Sequence, residues 1–94
     1  MLKHVKEIEQ LQKKYPQIRV FKGAEVDILK DGKMDFSDAV LKQLDFVIGS
    51  VHSRFKSPKE EMTKRIIKAI ENKYVNAIGH PTGRLINARN PYEV

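Results

Sequence analysis

A chain of 94 residues, 40% apolar and 32% charged, is one domain or a piece of one, and that balance excludes a disordered tail. No apolar run approaches the roughly 20 residues that cross a bilayer, and Met1-Leu2-Lys3-His4 opens into an amphipathic pattern without a signal-peptide stretch, so a cytoplasmic protein with no membrane partner is expected. The absence of cysteine excludes disulfides and thiolate zinc sites, and the net charge of +6 favours phosphate-bearing partners, although solvated lysines give the same balance.

In chain order, Leu2, Val5, Ile8, Leu11 and Tyr15 recur at spacings of three and four, which predicts a helix that Pro16 stops. Ile18 to Ile28 is rich in branched and aromatic residues and should be extended. Asp31-Gly32 marks a turn, and Asp35 or Ser37 could cap a short helix carrying Phe36, Val40, Leu41 and Leu44. Phe46-Val47-Ile48-Gly49-Ser50-Val51 is a continuous apolar run of the kind buried in parallel sheets. A third helix is expected from Ser57, with Pro58 at its first position and Glu60 closing a capping box. On it Met62, Ile66, Ala69 and Ile70 share one face, and Lys64, Arg65, Lys68 and Glu71 point to solvent. Val75 to Gly79 forms the next strand, Thr82-Gly83-Arg84 a loop, and Leu85 to Val94 the start of another helix.

Alternating helices and strands with short connections imply an α/β protein with a parallel sheet. About three βα units cannot cover both sheet faces or close the sheet edges, so the pattern reads as a fragment of a larger fold.

Glu25, His52 and His80 are 27 and 28 residues apart, about one βαβ step of roughly 30 residues. Each stands at or just past the end of a strand-like run, and equivalent points of successive steps emerge on one sheet edge. Each has an ordinary reading by itself: an ion pair with a lysine or arginine for Glu25, a hydrogen-bonded imidazole for His52, a turn for His80-Pro81. Independent structural residues have no reason to keep that interval, however, and two imidazoles with a carboxylate suit zinc, manganese or iron. Arg54 and Arg84 follow the two histidines by two and four residues and could grip phosphate, or form surface salt bridges. Asp27 could support the site or cap its strand, and His4 is read as exposed.

Gly23-Ala24-Glu25-Val26-Asp27-Ile28, Leu44 to Phe55 (Leu-Asp-Phe-Val-Ile-Gly-Ser-Val-His-Ser-Arg-Phe) and Gly79-His80-Pro81-Thr82-Gly83-Arg84 resemble three consecutive motifs of the PHP (polymerase and histidinol phosphatase) domain. They look most like the version at the carboxyl end of bacterial family X DNA polymerases, and the likeness covers nearly the whole chain, so that residues 1–94 read as a partial domain of that kind. The resemblance implies a distorted TIM-like barrel of seven βα units with up to three divalent metals, manganese or zinc, at the carboxyl ends of its strands. It implies that Glu25 bridges two ions, that His52 and His80 are single-metal ligands, and that Arg54 and Arg84 contact DNA phosphates. The implied activity is a 3′-5′ exonuclease or other phosphoesterase that processes DNA ends in repair.

The family's amino-terminal His-any-His cluster, with a further histidine and aspartate, and its closing Asp-any-His motif have no counterpart here. Three remaining ligands predict at most one ion and weak or no activity for the chain alone. Two other readings follow from the same residues. One is a non-catalytic scaffold that associates through open sheet edges with itself or with the rest of the barrel. The other is a phosphatase of small phosphate esters, of the histidinol-phosphatase type.

Overall fold

The computed structural model describes residues 1–83 and 90–94. In chain order it contains α1 (Leu2–Lys14), β1 (Gly23–Asp27), α2 (Asp38–Leu41), β2 (Phe46–Ser50), α3 (Lys59–Glu71) and β3 (Ala77–Ile78). The strands form one parallel sheet in the order β1-β2-β3, as the alternating pattern predicts. No helix among the described residues is long and apolar enough to cross a membrane.

Side chains alternate across a strand, and this alternation divides the sheet into two chemically different faces. Val26 of β1 and Ile28 just past it, with Val47 of β2 and Val51 just past it, point to one side. There they pack with Met62, Ile66 and Ala69 of α3 and with Leu41, Met34 and Tyr92 in a single buried cluster. The opposite face carries Glu25, Asp27, Phe46 and Ser50, and Phe46 remains 45% exposed. One face is therefore a core, and the other leaves Glu25, Asp27 and Phe46 exposed around a buried Ser50.

The strand expected over Ile18–Ile28 is shorter. Between Ile18 and Lys22 the backbone donors a neighbouring strand would use are taken by side chains: Gln12 Oε1 accepts from Val20 N at 2.7 Å and Asp45 Oδ2 from Lys22 N at 2.8 Å. Gln12 also donates to Ile18 O, and Glu9 pairs with Lys22 at 3.2 Å, so polar contacts tie α1 to this segment. Of the apolar stripe on α1 only Val5 is buried. The radius of gyration is accordingly 15.5 Å, against about 12 Å for a compact chain of this length.

Past β1 the chain folds back through a turn in which Gly32 N donates to Leu29 O and Leu29 N to Lys33 O, carrying Met34 into the core. Gly32 sits at φ +86, and a Cβ there would lie 2.7 Å from that of Lys68, so this turn against α3 requires glycine. Asp31 steadies it by accepting from Lys33 N. That hydrogen bond, with the charges of Lys33 and Lys68, lowers the Asp31 pKa below its usual value of 3.8. A carboxylate with a depressed native pKa contributes stability above its ordinary pKa, and the contribution disappears as pH falls through the native one. The urea midpoint of Asp31→Asn should therefore fall less steeply than that of the wild type below about pH 4.

Several local expectations are corrected. The capping box at Ser57 and Glu60 does not form: α3 starts at Lys59 with Pro58 as its cap, and no side chain caps it. The turn before it recruits the hydroxyl instead, Ser57 Oγ donating to Arg54 O at 2.8 Å. Ile70 is 58% exposed, because the two-residue β3 leaves the end of α3 uncovered among the described residues. Arg65, expected in solvent, is buried; backbone carbonyls surround its guanidinium and replace water. The short helix forms as Asp38–Leu41 with Ser37 at its cap, but without a side-chain cap hydrogen bond. Of the helix expected over Leu85–Val94, residues 85–89 lie outside the described residues. Residues 90–94 are not helical, and Tyr92 packs into the core.

Candidate metal centre

Parallel register converts the sequence interval into proximity. Glu25 pairs with Ile48 and Asp27 with Ser50 in the β1–β2 ladder, so His52, two residues past Ser50, emerges on the same face as both carboxylates. On the other side Gly49 pairs with Ile78, and Gly79 N donates to Gly49 O at 2.9 Å. His80 then follows at the same edge. Gly79 permits this approach: a Cβ would meet Ser50 Oγ at 2.5 Å and Ile48 Cγ2 at 2.9 Å. His80 itself adopts φ +28, a left-handed backbone that costs a residue with a side chain of order 1–3 kcal/mol.

Both imidazoles turn toward a single oxygen. His52 Nε2 lies 3.0 Å and His80 Nε2 3.2 Å from Glu25 Oε1, and the two rings meet edge to face with centroids 5.1 Å apart. One ligand atom from each of the three residues lies within 4.8 Å of the others. The ordinary reading of Glu25 as the partner of a lysine or arginine is thereby replaced, since its partners are these histidines. The buried Ser50 hydroxyl beside it, followed by the His80 hydrogen bond and the charges of both imidazoles, lowers its pKa against a weaker opposing effect of burial. Ser50 Oγ makes no hydrogen bond of full geometry with a described residue. Glu25 is thus kept ionised at neutral pH, the form a cation needs.

Asp27 completes the arrangement. Its Oδ1 lies 2.5 Å from His52 Nδ1, which fixes the proton on Nδ1 and turns Nε2 into the cluster. A carboxylate that orients a histidine in this way is the usual support of a metal-ligating imidazole. The sequence left Asp27 between support and cap. Its place two residues after Glu25, on the same strand face, was the available signal.

A carboxylate oxygen from β1 and imidazole nitrogens from the segments just past β2 and β3 form a donor set that fits one divalent first-row cation. Arg54 is exposed in the loop after β2 at φ 52 and makes no ion pair with a described residue. Arg84 lies outside the described residues.

No protein-family model matches the chain. It is 47% identical over 95% of its length to the DNA polymerase/3′-5′ exonuclease PolX of Bacillus subtilis (strain 168), of which it spans 16%. It is also 41% identical over 76% of its length to a probable phosphatase of Thermoanaerobacter sp. (strain X514), spanning 31% of that protein, and 39% identical over 76% to one of Caldanaerobacter subterraneus. The chain thus covers a sixth to a third of these relatives. Similarity to a polymerase with exonuclease activity and to phosphatases together points to the module such proteins share, and the chain is a partial PHP domain like that of the family X DNA polymerases.

Proposed function

We propose that residues 1–94 are the central part of a PHP phosphoesterase domain and that Glu25, His52 and His80 hold one divalent cation, manganese or zinc. The observation that carries this reading is the convergence of both Nε2 atoms on Glu25 Oε1 at one edge of a parallel sheet. A sheet covered by α3 on one face, with Glu25, Asp27 and Phe46 exposed on the other, supports a place in a larger TIM-like barrel of seven βα units, whose interior that second face would line.

When bound, a divalent ion at such a site lowers the pKa of water and offsets charge on a phosphoryl oxygen. This chain's own residues do the rest. Glu25 supplies the anionic ligand, Asp27 holds the His52 proton at Nδ1, and His80 closes the third side. Arg54 and Arg84 are proposed to bind phosphate next to the scissile ester.

DNA is the substrate favoured here, as a 3′ end being processed in repair. The +6 charge and the 47% identity to the polymerase/exonuclease over nearly the whole chain support it over a small phosphate ester. With three ligands the chain alone is expected to be a weak catalyst, so binding is the primary readout. An electron paramagnetic resonance titration of free Mn²⁺ should give one ion per chain, and His80→Ala should bind none. A wild type that binds no manganese would overturn the site. In the loaded chain, slow shortening of a 5′-labelled oligonucleotide from its 3′ end supports DNA. Phosphate release from p-nitrophenyl phosphate without shortening would assign the small-ester reading. In the same titration Asp27→Ala should bind manganese about 10–100-fold more weakly, because the imidazole it orients is then free to turn.

A further inference from the structure

Arg65 is 4% exposed, and no carboxylate of a described residue pairs with it. Its side-chain hydrogen bonds to described residues run to two short segments. Nε donates to Ile28 O at 3.2 Å and Leu29 O at 3.0 Å, and Nη2 also donates to Ile28 O. Nη1 donates to Ser53 O at 2.9 Å and Nη2 to Ser53 Oγ at 3.2 Å. Ile28 directly follows Asp27, and Ser53 directly follows His52. One planar guanidinium therefore spans the exits of β1 and β2, its contacts lying one or two residues downstream of Asp27 and one residue downstream of His52.

A buried charge whose only counter-charge among the described residues is the more distant attraction of Asp27 and Tyr92 is costly, and an apolar side chain of similar volume often packs as well or better. Packing alone thus gives no reason for arginine at this position. A rigid fork of five N–H donors, by contrast, fixes the separation of two backbone segments, which no apolar residue can do.

We infer that Arg65 is a positioning residue, a clamp that holds the carboxyl ends of β1 and β2 at the spacing at which Asp27 engages His52 and Glu25 faces both imidazoles. The inference rests on the metal-centre reading proposed above. It does not depend on metal for its test, because the Asp27–His52 hydrogen bond exists within the chain itself.

The test uses Arg65→Met and Arg65→Lys, with Met62→Ala as a control from the same helix that lies in the core and bonds to neither segment. Folding is checked by circular dichroism. Manganese affinity is measured by paramagnetic resonance, and the downfield Nδ1 proton of His52 by NMR in the absence of metal. Lysine retains the charge but as a single point donor, so it cannot bridge both segments. Expected are a loss of manganese affinity of about tenfold in both Arg65 variants, a lost or exchange-broadened Nδ1 proton, and a control within about twofold of wild type despite its lower stability. A folded Arg65→Lys that keeps wild-type affinity and an intact Nδ1 resonance overturns the inference. So does an equal loss of affinity in Met62→Ala, and so does an Arg65→Lys chain that fails to fold, since the residue would then be structural. If the wild type binds no manganese, the metal reading fails separately. The clamp is then decided by the proton alone: its loss in Arg65→Lys supports the clamp, and its retention overturns it.

Discussion

Saturating manganese is expected to raise the melting temperature of this chain by on the order of 10 °C, and Glu25→Ala should remove the rise. A ligand that binds only the folded state stabilises by about 2.7 kcal/mol at a hundred times its dissociation constant. A small domain gains roughly 4–8 °C per kcal/mol. The effect should be large because Glu25 lies in β1 and the histidines lie just past β2 and β3, so one ion would join all three strands at their carboxyl edge. β3 has only two residues and the most to gain. Glu25 is the residue to remove because both histidines address its Oε1. Melts in chelator and in manganese, for wild type and variant, decide the matter. Equal melting of the wild type in both would mean that the cluster holds no ion.

The second large effect lies in the core. Met62 is fully buried on α3 among the apolar residues of β1 and β2. Truncation to alanine removes the transfer free energy of three heavy atoms and leaves a cavity, which together cost about 2–5 kcal/mol. This chain has one core cluster, drawn largely from one sheet face, so its reserve is small. Urea unfolding of Met62→Ala should show a midpoint lowered by more than half, with an unchanged slope. A loss below about 1 kcal/mol would mean that α3 does not seal the sheet as described.

The two effects act at opposite ends of one chain of cause. The core face of the sheet provides the folding energy, and the carboxyl edge of the other face carries the proposed metal ligands. Strand alternation separates them residue by residue: Val26 lies between Glu25 and Asp27, and Val51 between Ser50 and His52. A register slip of one residue in β2 would turn His52 away from Glu25 and put Ser50 where Val51 packs. Stability and site geometry are therefore set by the same ladder.

Much of this was legible in the residues. The spacing of Leu2, Val5, Ile8 and Leu11 gave α1, the apolar run from Phe46 gave β2, and the alternation of helix and strand gave a parallel sheet. These are local signals, because periodicity and propensity act over neighbouring residues. The interval between Glu25, His52 and His80 was informative for a longer-range reason: a βα step has a characteristic length, so equal spacing along the chain becomes adjacency on one edge.

What the sequence could not decide was which polar groups would find partners. Ser57 carried the pattern of a helix cap, yet the Arg54 carbonyl was nearer and took its hydroxyl. Arg65 stood among lysines on the helical wheel, and only the fold shows carbonyls of Ile28, Leu29 and Ser53 gathered around it. Asp27 read equally well as a cap or a support until the β1–β2 register put it 2.5 Å from His52. The amino-acid order by itself determined the order of helices and strands and the interval that brings Glu25, His52 and His80 together, since those follow from local periodicity and step length, although Glu25 lies in the middle of β1 and only the histidines lie past strand ends. Only the tertiary structure decided which side chains hold the site in place, because a hydrogen bond depends on distances of a few tenths of an ångström between groups far apart in the chain.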